Sequence, residues 1–279
     1  MRTEAEMLSL VLDFAEKDGR IRLVTLEGSR ARPDSSRDCF QDYDVSYFVS
    51  ELGSFEENNA WLDYFGPRLI MQQPEAPFEE GFSYLMLFED GNRLDLFVLP
   101  LSQWPDYVAK ERSVQVLLDK DQRLSSDFHL QADVYQTHLP TAEEFLENCN
   151  EFWWVSTYVV KGLCRGELLY AAAHLEQVVR QELLKVLAWR GVYRAGHPLD
   201  FGKFYKYLPR FLTADCTQRL QVTYDLSNEH SIWQALLICQ DLFFEASQEL
   251  AVALAYPFAL KEADNVRRYT QFFYEGGSL

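Results

Sequence analysis

Two aspartates, Asp42 and Asp44, open the β-like run YDVSYFV (43–49), and a third, Asp95, sits inside the apolar run RLDLFVL. Side chains two apart on a strand leave by the same face, so Asp42 and Asp44 point the same way if the strand starts that early. Carboxylates so placed repel one another, and burial raises the pKa of at least one. A divalent cation removes that penalty, and Mg²⁺ takes carboxylate oxygens together with substrate phosphates rather than a full protein cage. The D-x-D pair alone is weak evidence. With 43 acidic residues in 279, chance supplies roughly six or seven acid-x-acid pairs, so context has to decide.

Three features supply context. Gly28 and Ser29 follow the strand-like IRLVTLE directly, where a glycine lets backbone N–H groups approach a phosphate. The loop that follows carries Arg30, Arg32 and Arg37, charge partners suited to phosphate. Asp95 lies between Leu94 and Leu96, where an acid is costly unless it is paired or metal-bound. Plainer explanations exist for the glycine and the acids: an ordinary turn at Gly28-Ser29, an Asx-turn or cap at Asp42, and a charge guarding an edge strand at Asp95. Taken together and in this order, they favour a metal site.

The elements that must position these residues are legible nearby. Thr3 with Glu6 forms a capping box, and Met7, Val11 and Phe14 recur at helical spacing, which predicts a helix over 4–17. Residues 21–27, 43–49 and 114–119 read as strands, and 83–100 as two strands around Asp90-Gly91, a hairpin signal. After about residue 138 the period becomes helical. Thr141 with Glu144 starts a helix running to about Arg165, further helices are expected over 167–190, 229–255 and near 262–274, and GVYRAGHPLD is the clearest break. The expected fold is α+β: a domain over 1–138 with a mixed sheet flanked by helices, then a helical bundle domain over 139–279.

Bulk properties narrow the function classes. A hydrophobic fraction of 48% and 15% aromatics give enough material for a core. A net charge of −17 and a pI near 4.7 argue against nucleic-acid partners, which need clustered Lys and Arg. Five scattered cysteines without C-x-x-C argue against structural zinc and predict reduced thiols. Acids run through the apolar N-terminus, and no run is long enough to span a bilayer, so a cytoplasmic protein without membrane partners is expected. A monomer or weak homodimer is expected.

Gly-Ser, then D-x-D on a strand, then a third Asp on a later strand resembles the polymerase-beta-type nucleotidyltransferase superfamily. More closely, RIRLVTLEGSR, FQDYDVSYFV, LFEDGNRLDLFVLP, VLLDKD and CNEFWWVSTYVVKGLCRGE resemble the bacterial aminoglycoside 6-adenylyltransferases that modify streptomycin. The resemblance implies transfer of AMP from Mg·ATP to a hydroxyl of the streptidine ring, with ATP and a cationic aminoglycoside as partners. It implies that Gly28 and Ser29 hold the triphosphate, that Asp42 and Asp44 ligate Mg²⁺, and that Asp95 shares the metal and accepts the hydroxyl proton. VLLDKD would lie near the nucleotide. Two departures bear on acceptor choice: a shorter segment between Pro74 and Gly81, and no Tyr-Asp pair after the Tyr-Pro step in AYPFALKEADN.

A guanidinium-bearing acceptor favours carboxylates and aromatic faces. Glu143, Glu147 and Glu151 fall at i, i+4, i+8, with Trp153 and Trp154 following. Glu143 and Glu147 read as a solvated face, whereas Glu151 and Trp154 are the expected acceptor-binding residues, and Glu151 is also a rival base to Asp95. Lys161, on an otherwise apolar face, is expected either at the triphosphate or simply snorkelling. His174 reads as an ordinary helix residue.

Overall fold

The computed structural model describes residues 1–32, 37–56, 58–75, 80–109, 113–124, 128–130 and 136–278. The part of the Pro74–Gly81 segment at 76–79 lies outside them. The chain forms two compact units, 1–134 and 135–279.

The first unit is a seven-stranded sheet in the order β3-β4-β5-β2-β1-β6-β7. Its strands are β1 (Ile21–Glu27), β2 (Tyr43–Val49), β3 (Arg68–Gln72), β4 (Phe82–Phe88), β5 (Arg93–Pro100), β6 (Val114–Asp119) and β7 (His129–Leu130). Every neighbouring pair is antiparallel except β2 and β5, which run parallel, so the sheet is mixed. Helix α1 (Glu4–Lys17) carries the Thr3–Glu6 capping box and buries Met7, Val11 and Ala15. These pack with Val24 and Leu26 of β1, Tyr43, Val45 and Tyr47 of β2, and Leu94, Leu96 and Val98 of β5. Tyr47 fixes the helix further, its hydroxyl donating to the Val11 carbonyl at 2.7 Å.

Strand alternation sends the intervening residues to the opposite face. There Leu23, Phe48 and Leu99 pack against Tyr107 and Trp104 of α2 (Trp104–Ala109), with both rings edge-on to Phe48 at 4.9 and 5.2 Å. The sheet is therefore flanked on both sides, and its α2 face is only partly apolar.

The second unit is helical: α3 (Ala142–Cys164), α4 (Leu168–His174), α5 (Arg180–Ala195), α6 (Ala214–Val222), α7 (Glu229–Leu254) and α8 (Leu260–Tyr274), with a small β8–β9 ribbon (Gln136–Thr137, Leu199–Asp200). The capping box at Thr141 and Glu144 starts α3. Phe152 of α3 stacks on Phe243 of α7 with centroids 3.7 Å apart. The break expected at GVYRAGHPLD comes later than its first glycine. Gly191 lies inside α5, where a Cβ would sit 3.1 Å from the Phe201 ring, and the helix ends at Gly196, φ +74°. No helix of the described residues is long and apolar enough to cross a membrane.

Candidate active site

Three strands lay out the α2 face of the sheet in rows. Leu23, Phe48 and Leu99 are register partners, and so are Thr25, Ser46 and Phe97; the last row is Glu27, Asp44 and Asp95. Side chains of one row point to the same face. Polarity thus rises along the strands from an apolar row to a row of three carboxylates, at the end where β1 stops and where β2 and β5 begin. Asp42 precedes β2 by one residue.

Sequence reasoning missed Glu27. It is buried, accepts a hydrogen bond from the Ser46 hydroxyl, and lies beside the Tyr107 hydroxyl, which is 3.0 Å from Thr25 Oγ1. Burial and the adjacent Glu27 carboxylate hold the Tyr107 phenol well above its ordinary value. The acid that ends IRLVTLE was visible in the sequence. Its place beside Asp44 depends on strand pairing, which was not.

The electrostatics follow from the row. Burial, then the like charges of Asp95, Glu27 and Asp42, push the Asp44 carboxyl up to about 7. Burial, opposed by Arg93, also raises Asp42. Arg93 forks onto Asp95, Nε to Oδ1 and Nη2 to Oδ2, both at 2.8 Å, and its Nη1 is 3.5 Å from Asp42 Oδ2.

Asp44 therefore has a stability consequence that can be signed. A carboxyl with a raised folded-state pKa binds protons more readily when folded, so its ionisation costs stability as pH climbs from the unfolded value near 4 to about 7, and by a constant amount above that. Asp44→Asn removes the charge. In EDTA at pH 8 the variant is expected to melt on the order of 5 °C higher than the parent, with the gain fading as pH falls toward 4. A melting temperature that does not rise at pH 8 contradicts the crowding of charge inferred for this row.

The phosphate-side expectations separate. Gly28 begins a 3₁₀ turn (Gly28–Ala31) with φ +66°, and a Cβ on it would lie 2.3 Å from Asp44 Oδ2. The turn is thus a cradle against the acid row. Ser29 is half-buried and accepts from Gln41 Nε2 at 3.2 Å. Arg30 is turned inward, contrary to an arginine displayed for phosphate. Its Nε donates to the Asp42 carbonyl at 3.1 Å, Nη2 to the Gln41 carbonyl at 2.9 Å and Nη1 to Glu4 at 3.2 Å, over the Tyr43 ring at 3.8 Å. Those bonds tie Arg30 to the 41–42 segment that delivers Asp42.

The remaining expected residues stand on the helical unit. Glu143, Glu147 and Glu151 are exposed on α3. Trp153 is in the core, while Trp154 is 60% exposed with its indole N–H donating to Tyr158 at 2.9 Å. Lys161 is half-buried, its Nζ 4.6 Å from the Tyr158 ring centre and 5.4 Å from that of Tyr170. His174 Nδ1 bonds the Tyr170 carbonyl at 2.9 Å, as an ordinary helix residue does.

Mg²⁺ takes hard oxygen donors. Asp42, Asp44 and Asp95 offer hard oxygen ligands, and the like charges crowding Asp44 would be relieved by a cation. Among the described residues no three His, Cys, Asp or Glu side chains are gathered as they would be around an ion. Arg93 engages both oxygens of Asp95, the atoms a shared cation would need. The chemistry fits, and a guanidinium sits on part of it.

A sequence model of the family described as streptomycin adenylyltransferase matches residues 1–273. An aminoglycoside 6-adenylyltransferase of Bacillus subtilis (strain 168) is 44% identical over 281 residues, 98% of this chain and 99% of its own. One from Campylobacter jejuni is 42% identical over 272 residues, 93% of this chain and 92% of its own. The crystal structure of an aminoglycoside 6-adenyltransferase from Bacillus subtilis is 41% identical and covers 98% of this chain and 99% of its own, with a TM-score of 0.49.

Proposed function

The chain belongs to the streptomycin adenylyltransferase family, a family of nucleotidyltransferases, and from that premise we propose that it transfers AMP from Mg·ATP to a hydroxyl of streptomycin in the cytoplasm. The observation that carries the reading is the carboxylate row of Glu27, Asp44 and Asp95 beside the Gly28 turn.

Each residue then has a part. Asp42 and Asp44 would hold Mg²⁺, with Asp95 sharing it. The ion, when bound, neutralises charge on the phosphates during in-line displacement at the α-phosphorus. The backbone of Gly28 and Ser29 would take the triphosphate, since a Cβ-free residue lets N–H groups approach closely. Asp95 would accept the proton of the attacking hydroxyl. Arg30 keeps Asp42 in place through the Gln41 and Asp42 carbonyls. On the helical unit, Glu151 and the exposed Trp154 offer a carboxylate and an aromatic face, which suit the guanidinium groups of streptomycin.

Pyrophosphate release tests the reading. Release is expected with ATP, Mg²⁺ and streptomycin, and not when Mg²⁺ is omitted or kanamycin replaces streptomycin. Turnover with kanamycin instead would move the acceptor elsewhere among the aminoglycosides; Mg·ATP binding without turnover on either would leave a nucleotide-binding protein on this fold.

A further inference from the structure

Arg93 opens β5 two residues before Asp95, so both side chains leave by the same face. Its fork takes both Asp95 oxygens at 2.8 Å, and the same guanidinium lies 3.5 Å from Asp42. Asp44 feels its charge as well. Asp95 is only 8% exposed, so solvent is poorly placed to replace the fork. The Arg93 side chain is 43% exposed and has room to leave. Within this unit, then, a fixed positive charge occupies the oxygens that a shared cation would need. Guanidinium forks match phosphate as well as they match carboxylate, so a triphosphate laid on the Gly28 turn would offer the same donors a second anion.

We propose that Arg93 is a built-in competitor for the divalent cation: it holds Asp95 and Asp42 until nucleotide phosphate draws it away, and so makes cation binding depend on nucleotide. The proposal rests on the metal-site reading above. By linkage, removing the competitor tightens cation binding in the absence of nucleotide and weakens the coupling between the two ligands.

The probe is Mn²⁺, followed by water-proton relaxation, which separates protein-held Mn²⁺ from Mn²⁺ chelated by free nucleotide. Parent, Arg93→Met and Arg93→Lys are compared with and without a non-hydrolysable ATP analogue, after thermal melts establish that each is folded. The parent is expected to bind Mn²⁺ weakly alone and at least about tenfold more tightly with the analogue. Arg93→Met is expected to bind Mn²⁺ alone about tenfold more tightly than the parent and to lose most of the coupling. Arg93→Lys keeps the charge without the fork and is expected between the two; it serves if the Met variant does not fold. If the parent responds to the analogue but neither variant binds Mn²⁺ alone more tightly, the competitor role is overturned and the metal site stands. If the parent holds no Mn²⁺ even with the analogue, both readings fall.

Discussion

Asp95→Asn is expected to lower the rate of pyrophosphate release by about 10³-fold while leaving the Kd for ATP within about threefold of the parent. The substitution keeps the volume of a residue that is 8% exposed between Leu94 and Leu96, so the β5 backbone and its pairing with β2 have no steric reason to change. What is lost is one negative oxygen in the row with Asp44. In the proposed mechanism that oxygen would do two things, share the cation and receive a proton, and a neutral amide does neither. In that mechanism ATP binding would rest instead on the Gly28 turn and on Asp42 and Asp44, and Arg93, relieved of its carboxylate partner, would remain a cation for the phosphates. Steady-state pyrophosphate release with calorimetry of ATP binding checks both halves. Activity within about tenfold of the parent would pass the proton-accepting role to another group, with Glu151 of α3 the first to test.

Much of this architecture could be read before the structure, because the signals were local. A capping box spans four residues, and those at Thr3–Glu6 and Thr141–Glu144 fix the starts of α1 and α3 as expected. Alternation and β-branching place β1, β2 and β6, and Asp90-Gly91 sits between β4 and β5. Weak or misleading local signals failed. β3 is a five-residue edge strand with Leu69 and Ile70 turned to solvent, so it shows no inside-outside alternation. Gly191 reads as a breaker but serves Phe201 packing.

The site was legible in kind and illegible in arrangement. Asp42, Asp44 and Asp95 announce themselves as acids on or beside strands, yet which residues share a row is set by register, a long-range property in which one residue of slip moves every side chain to the other face. Hence Glu27 was invisible as a member of the row until β1 was seen paired with β2. Arginine is harder still. Arg30 and Arg93 look alike in sequence, but one is buried against carbonyls behind Asp42 and the other lies over the acids themselves. A flexible side chain's partner follows from the fold, not from its neighbours in the chain.

Gly28→Ala tests the junction of turn and acid row with a single methyl group. At φ +66° an alanine is strained by about 1 kcal/mol or more, which alone predicts a modest fall in melting temperature. The larger effect is steric. The added Cβ would lie 2.3 Å from Asp44 Oδ2 and 3.1 Å from its Cγ, so the carboxylate has to swing or the turn has to lift. Asp44 has little freedom to yield, with Glu27 on one side and Asp95 on the other as register partners. Misplacing a reacting or ligating group by about 1 Å costs on the order of 10²-fold in rate, and here the carboxylate and the turn proposed to take the triphosphate are displaced together. Gly196→Ala supplies the control: its φ of +74° carries the same backbone strain, but nothing lies within 4 Å of its Cβ, and it caps α5 in the helical unit. Gly28→Ala is expected to lose at least as much stability as Gly196→Ala, and only Gly28→Ala loses turnover, by at least about 10²-fold. If both keep full activity, the Gly28 turn is not a wall of the site. If both lose it equally, the loss reports general destabilisation and the close approach of Gly28 to Asp44 has no catalytic meaning.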